Sequence, residues 1–306
     1  EKPVVTETEA RPEAWPDRLV RWKAPKSDWA RAARTTLRTL HLLGMAAFFG
    51  AAAFGLEGHR FELSVQAAVV TGVAHRVWGA ITRALAFAGA DVAFTYHTST
   101  GAADQLRGEL QQLGRVVHPI PCDVGDWDAV QAMGREIDSL LGGADIVVNS
   151  ASFFRSTPFP AEDARYWRQV MRVTLDGAFF VCSALTPMLQ RRGGGVIVNV
   201  LDSCLWKPVP GFAAHAAAKG GLAALTRQLA VDLAPAIRVN GVAPGPVMPP
   251  AGLAPARQAS LARETLLDRW GMPEDVARAV CYLIEADYVT GEIMVVDGGE
   301  RLSRSR

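Results

Sequence analysis

The 306-residue chain has little that would mark a metalloprotein, a disulfide-framed fold or a nucleic-acid binder. Its four cysteines, Cys122, Cys182, Cys204 and Cys281, stand singly without metal-ligand spacing and read as core or near-core thiols. None of the six histidines forms an HxxxH or HExxH pattern or a cluster with cysteine, so no metal is expected. Charge of either sign is not in excess. Thirty-two basic residues against 31 acidic ones give a formal charge of +1 and no global field, and no nucleic-acid partner is expected. Tyrosine is also scarce: Tyr96, Tyr166, Tyr282 and Tyr288 are the only four.

Apolar residues make up 49% of the chain, enough to bury a sizeable core. Only one long uncharged run stands out. Residues 1–38 form a polar arm broken by Pro3, Pro12, Pro16 and Pro25, with a basic block between Arg18 and Arg38. The run LHLLGMAAFFGAAAFGL follows at residues 40–56, and as a helix it would cover about 25 Å. That is the lower end of membrane-spanning length, with Arg38 placed to snorkel and Trp29 to sit at an interface. The expectation is a membrane anchor at 39–57, a single span with a cytoplasmic N-terminus. A buried helix packing on the main domain or a partner is the alternative.

From residue 64 the pattern changes to alternation of strand and helix. SVQAAVVTG, DVAFTYH, VVHPIPCDV, ADIVVNS, GVIVNVLDS, IRVNGVAPG and EIMVVDGG read as strands. Helices are expected near 77–87, 101–114, 126–141, 163–190, 213–233 and 274–285. This alternation specifies an α/β fold, a doubly wound parallel sheet of Rossmann-like type over residues 64–300, followed by a basic tail at 301–306. In such a sheet ligands bind at the carboxyl ends of the strands, where VVTG, CDV, VNSAS, NVLDS and APG fall.

TGVAHRVWG, CDV, VNSAS, Asp202 thirteen residues before His215, Lys219, RVNGVAPGP, RWGMPEDVARAV and VTGEIMVVDGG occur in this order. Together they resemble the short-chain dehydrogenase/reductase family, most closely its pteridine-reductase-like branch. The resemblance implies catalytic positions at Asp202, His215, Lys219 and Thr174. It implies cofactor positions at Thr71, Gly72, Arg76, Trp78, Asp123, Asn149, Ala151, Lys219, Pro244 and Gly245. The implied cofactor is NADP, because Arg76 is placed to meet a 2'-phosphate and no acidic residue ends the second strand.

Three positions depart from that pattern. His215 stands where the family has tyrosine, Thr174 where it has asparagine, and Trp78 where it has the last glycine of the phosphate loop. Imidazole titrates near neutrality and can serve as an acid or base, although its reach is shorter than that of phenol. Indole at a glycine position obstructs close approach to a pyrophosphate. The expectation is therefore a catalytically inactive, reductase-like accessory or structural subunit of a membrane protein complex, with no cofactor or NADP. Membrane subunits are its expected partners, and a homo-oligomer is a further possibility. The enzymatic alternative is an NADP-dependent reductase of a carbonyl or pteridine-like substrate, with Phe153, Phe154, Trp206, Pro208 and Met248 around the substrate. A soluble module that binds a small ligand without turnover is the third reading.

Overall fold

In a computed structural model, the structure is described for residues 66–72, 77–249 and 252–303. The expected arm and apolar helix at 1–57, Arg76 of the phosphate loop and the last three residues of the tail lie outside the described residues.

Seven strands form one parallel sheet: β1 (Ala67–Thr71), β2 (Asp91–Tyr96), β3 (Val117–Pro121), β4 (Ile146–Asn149), β5 (Gly195–Val200), β6 (Ile237–Pro244) and β7 (Ile293–Val296). Their order is β3-β2-β1-β4-β5-β6-β7. The order reverses between β1 and β4, where Thr71 pairs with Asn149. A crevice opens there at the strand ends. β1 and β4 are buried along their whole lengths, which accounts for their unbroken apolar runs.

Alternation along each strand sends neighbours to opposite layers. Val70, Phe94, Val148 and Val198 join α1 (Val77–Phe87), α2 (Thr100–Gln111) and α8 (Pro273–Glu285) on one face. Val69, Val147, Ile197 and Val239 join α3 (Trp127–Leu141) and α5 (Gly177–Arg191) on the other. α6 (Ala213–Asp232) buries Ala214, His215, Ala218, Lys219, Leu222 and Thr226, a stripe at helical spacing. α7 (Pro255–Ala262) buries no residue, and the sequence pattern did not anticipate it.

The helix expected at 163–190 is a continuous run from Arg165 to Arg191, made of α4 (Arg165–Met171), a π-helical turn (Arg172–Asp176) and α5. It alone among the described residues is long and apolar enough to cross a membrane, yet it is a core helix that buries Val181, Leu185 and Leu189 against the sheet. Arg301, the first residue of the expected basic tail, pairs with Asp297 at 3.3 Å and lies over the Trp206 ring.

Candidate active site

The end of β5 and the first turn of α6 bring Asp202 and His215 together. Asp202 caps the 3-10 turn Ser203–Leu205: its Oδ1 accepts from the Cys204 amide at 2.7 Å. Its Oδ2 lies 3.2 Å from His215 Nε2. Burial pushes the Asp202 carboxyl up, but the hydrogen bonds from His215 and Cys204 and the charge of Lys219 outweigh it. The net effect holds it below the usual carboxylate range, so Asp202 is ionised at neutral pH.

His215 is 4% exposed, and its Nδ1 is buried without a partner. A protonated Nδ1 would be an orphaned buried donor, so this arrangement favours the tautomer with hydrogen on Nε2, facing the carboxylate. The start of α6 is held in place by the Thr157 hydroxyl, which accepts from Ala214 N at 3.0 Å. Phe154 touches the imidazole edge-on at 4.8 Å between centroids and stacks on Phe212 at 4.6 Å.

Lys219, one turn along from His215, donates from Nζ to the Val200 carbonyl at 2.6 Å. Burial pushes its ammonium down to about 8, with Asp202 and Cys204 partly opposing the shift. Thr174 is fully buried in the π turn and joins a different set of groups. Its hydroxyl lies 3.3 Å from Ser152 Oγ and accepts from Phe153 N. π turns recur at functional sites, and this one fixes the loop that carries Phe154.

The cofactor positions divide into crevice and scaffold. Gly72, at φ +83°, ends β1 so close to β4 that a Cβ there would lie 2.5 Å from the Ala151 backbone. Only glycine fits that approach at the strand ends. Thr71 Oγ1 accepts from Ser150 N, and Ser150 Oγ is a buried hydroxyl without a partner at the same strand ends. Gly245 follows Pro244 at the end of β6 and likewise leaves no room for a Cβ, which would meet Asp297 at 2.5 Å. Trp78 sits half-buried in the first turn of α1.

Asn149 points elsewhere. Its amide donates to Asn199 Oδ1 at 2.9 Å, and Asn199 donates to Thr226 in α6 at the same distance. It ties strands to helix. Asp123 accepts from Arg172 of the π turn at 2.9 Å, and His97 lies near enough to act on its charge.

Sequence reasoning missed Ser152, Phe212 and the Lys207 bridge to Glu264 and Glu300, which joins the loop after β5 to the segment after β7. Ser152, the last residue of VNSAS, and Phe212, three residues before His215, carried a signal in their positions.

Residues 72–300 match a family model described as enoyl-(acyl carrier protein) reductase. The chain is 32% identical over 249 residues to 3beta-hydroxysteroid dehydrogenase 1 of Eggerthella lenta, covering 79% of this chain and 95% of that protein. It is 32% identical over 241 residues to the 3-oxoacyl-(acyl carrier protein) reductase of Staphylococcus aureus, covering 76% and 97%. A gluconate 5-dehydrogenase from Burkholderia cenocepacia, solved in complex with NADP and tartrate, superposes with a TM-score of 0.73 at 30% identity, over 80% of this chain and 98% of that one. The chain belongs to the short-chain dehydrogenase/reductase family.

These findings overturn the inactive accessory subunit and the membrane-associated localisation. The relatives are dehydrogenases and a reductase made almost end to end of this one domain. The enzymatic alternative is therefore the better supported of the two readings. His215 is no bare gap in the chemistry either, because it meets an ionised carboxylate at hydrogen-bond distance.

Proposed function

We propose that the chain is an NADP-dependent reductase of a carbonyl compound, using His215 where relatives of its family pattern use tyrosine. The contact between His215 Nε2 and Asp202 Oδ2 carries this reading. It is a proton-transfer pair at the catalytic end of the sheet, with a buried lysine one helical turn away.

A bound reduced nicotinamide would supply hydride to the carbonyl carbon. His215 holds a proton at Nε2 and gives it to the carbonyl oxygen as negative charge builds there, so that the product is the alcohol. Asp202 orients the ring through Nε2, and the proton passed to the substrate is replaced from solvent on the exposed side of Asp202. Lys219, with Thr71, Gly72, Ala151, Pro244 and Gly245, would hold the dinucleotide along the strand ends. NADP is favoured over NAD because β2 ends at Tyr96 and runs into His97, with no carboxylate to bind a ribose 2'-hydroxyl.

The stacked pair Phe154 and Phe212 supports an apolar or planar substrate presented to His215. Asp202, which stands where many relatives of this pattern have serine, supports a pteridine-like substrate as the second reading. Trp167 and Phe179, exposed on the Arg165–Arg191 run, support a homo-oligomer built on that helix.

NADPH and NADH titrations, followed by cofactor oxidation over steroid ketones, 3-oxoacyl thioesters and a dihydropteridine, test the proposal. NADPH should bind more tightly, with turnover on at least one class. Failure of every class to oxidise bound NADPH would refute it.

A further inference from the structure

The catalytic pair has a third neighbour that the proposed reaction does not use. Cys204 follows Asp202 by two residues and is turned back by the 3-10 turn. Its Sγ, an Asp202 carboxylate oxygen and a His215 ring nitrogen all lie within 4.8 Å of one another. Linear spacing hides this set, because His215 comes from α6 while the other two follow β5.

We propose that Asp202, Cys204 and His215 form a site for a zinc-like divalent cation lying on the catalytic pair, so that the metal reversibly switches the reductase off. This rests on the reductase reading above.

One sulfur, one imidazole nitrogen and one carboxylate oxygen form a borderline-soft donor set of the kind zinc takes. Around a tetrahedral zinc, with metal–nitrogen and metal–oxygen bonds near 2.0–2.2 Å, nitrogen and oxygen ligands stand about 3.3 Å apart. His215 Nε2 and Asp202 Oδ2 are already 3.2 Å apart. The thiol has to close by an ångström or so, because a metal–sulfur bond near 2.3 Å puts sulfur about 3.5 Å from either partner.

Charge balances as well. The carboxylate and a thiolate together neutralise a divalent ion, the thiol proton leaving to solvent as the metal–sulfur bond forms. Lys219 opposes binding electrostatically, since its charge acts on both Asp202 and Cys204. Its ammonium is nevertheless committed to the Val200 carbonyl. Three protein ligands leave a fourth position, on the side where Asp202 is about one third exposed. Binding moves the ring hydrogen from Nε2 to Nδ1, so the ion takes the Nε2 lone pair and the carboxylate oxygen that proton transfer requires, and metal and catalysis exclude each other.

Cobalt(II) reports the site without turnover. The full-length chain should bind one equivalent with a near-ultraviolet thiolate-to-cobalt band, and zinc should displace it. In C204S the band should vanish while carbonyl reduction without metal stays at the wild-type rate. Zinc should inhibit the wild type reversibly, with activity restored by a chelator, and C204S should need at least about 10–100-fold more zinc for the same inhibition. Absence of the band, its persistence in C204S, or equal zinc inhibition of both proteins would overturn the site. A chain that shows the cobalt band but reduces no carbonyl refutes the reductase reading and not the metal site.

Discussion

At the residue scale the account turns on which side chain moves the proton. His215→Ala should lower kcat by about 10²–10⁴-fold, the usual contribution of a placed general acid, with NADPH affinity little changed. Steady-state kinetics beside a cofactor titration separates the two. His215 and Lys219 were legible as neighbours, because i and i+4 share a helix face. Asp202 was expected near them through the family resemblance, but its hydrogen-bond distance to His215 depends on how the chain leaves β5 and enters α6, which spacing alone does not give. Cys204 carried no signal as a lone thiol, and Phe154, expected around the substrate, is fixed beside His215 by its stack on Phe212.

Lys219 also gives a pH dependence with a definite sign. Its folded-state value of about 8 lies below the ordinary 10.5, so between these values the unfolded chain holds more protons than the folded one. Its contribution to stability therefore rises with pH across that window, is complete above it and is lost as pH falls toward 8. Urea unfolding at pH 8 and pH 10 should show this rise in the wild type, and Lys219→Met should remove it.

At the element scale, what positions the site is a set of joints. The alternation of strands and helices was legible from β-branched runs and helical spacing, and the strand positions agree closely with the expectation. The π turn at Arg172–Asp176 was not legible, because its extra residue per turn leaves the apolar pattern almost unchanged. It nevertheless aims Thr174 at Ser152 and Arg172 at Asp123.

The joint most exposed to test is the polar chain Asn149, Asn199 and Thr226, which runs from β4 through β5 to α6 inside the core. Asn199→Ala removes one hydrogen bond from the Asn149 amide, which keeps Cys182 Sγ, and one from the Thr226 hydroxyl, which keeps the Leu222 carbonyl. The cost should be about 0.5–1.5 kcal/mol for each bond lost, read by chemical denaturation. Gly72→Ala tests the β1 joint. A Cβ 2.5 Å from the Ala151 backbone, at φ +83°, should destabilise the fold and weaken dinucleotide binding together.

At the scale of the whole molecule, the described residues form a doubly wound sheet, and the matched relatives contain little besides that domain. Removal of residues 1–63 should accordingly leave kcat and the melting temperature of the remaining chain close to those of the full protein. A thermal melt and an activity assay of the truncated chain check this. The family was legible because its motifs recur in order along the strands. The inactive reading rested on three substitutions taken together as losses in one functional network. A histidine in place of tyrosine looks like a deletion in a linear motif, and its carboxylate partner becomes visible only when β5 and α6 are packed together.

The most direct test of that claim is the rate of hydride transfer from deuterated NADPH to a ketone in wild type, His215→Ala and His215→Tyr. The account predicts deuterium in the alcohol product of the wild type, near-complete loss in His215→Ala with NADPH still bound, and recovery in His215→Tyr. Equal rates in the wild type and His215→Ala would contradict it.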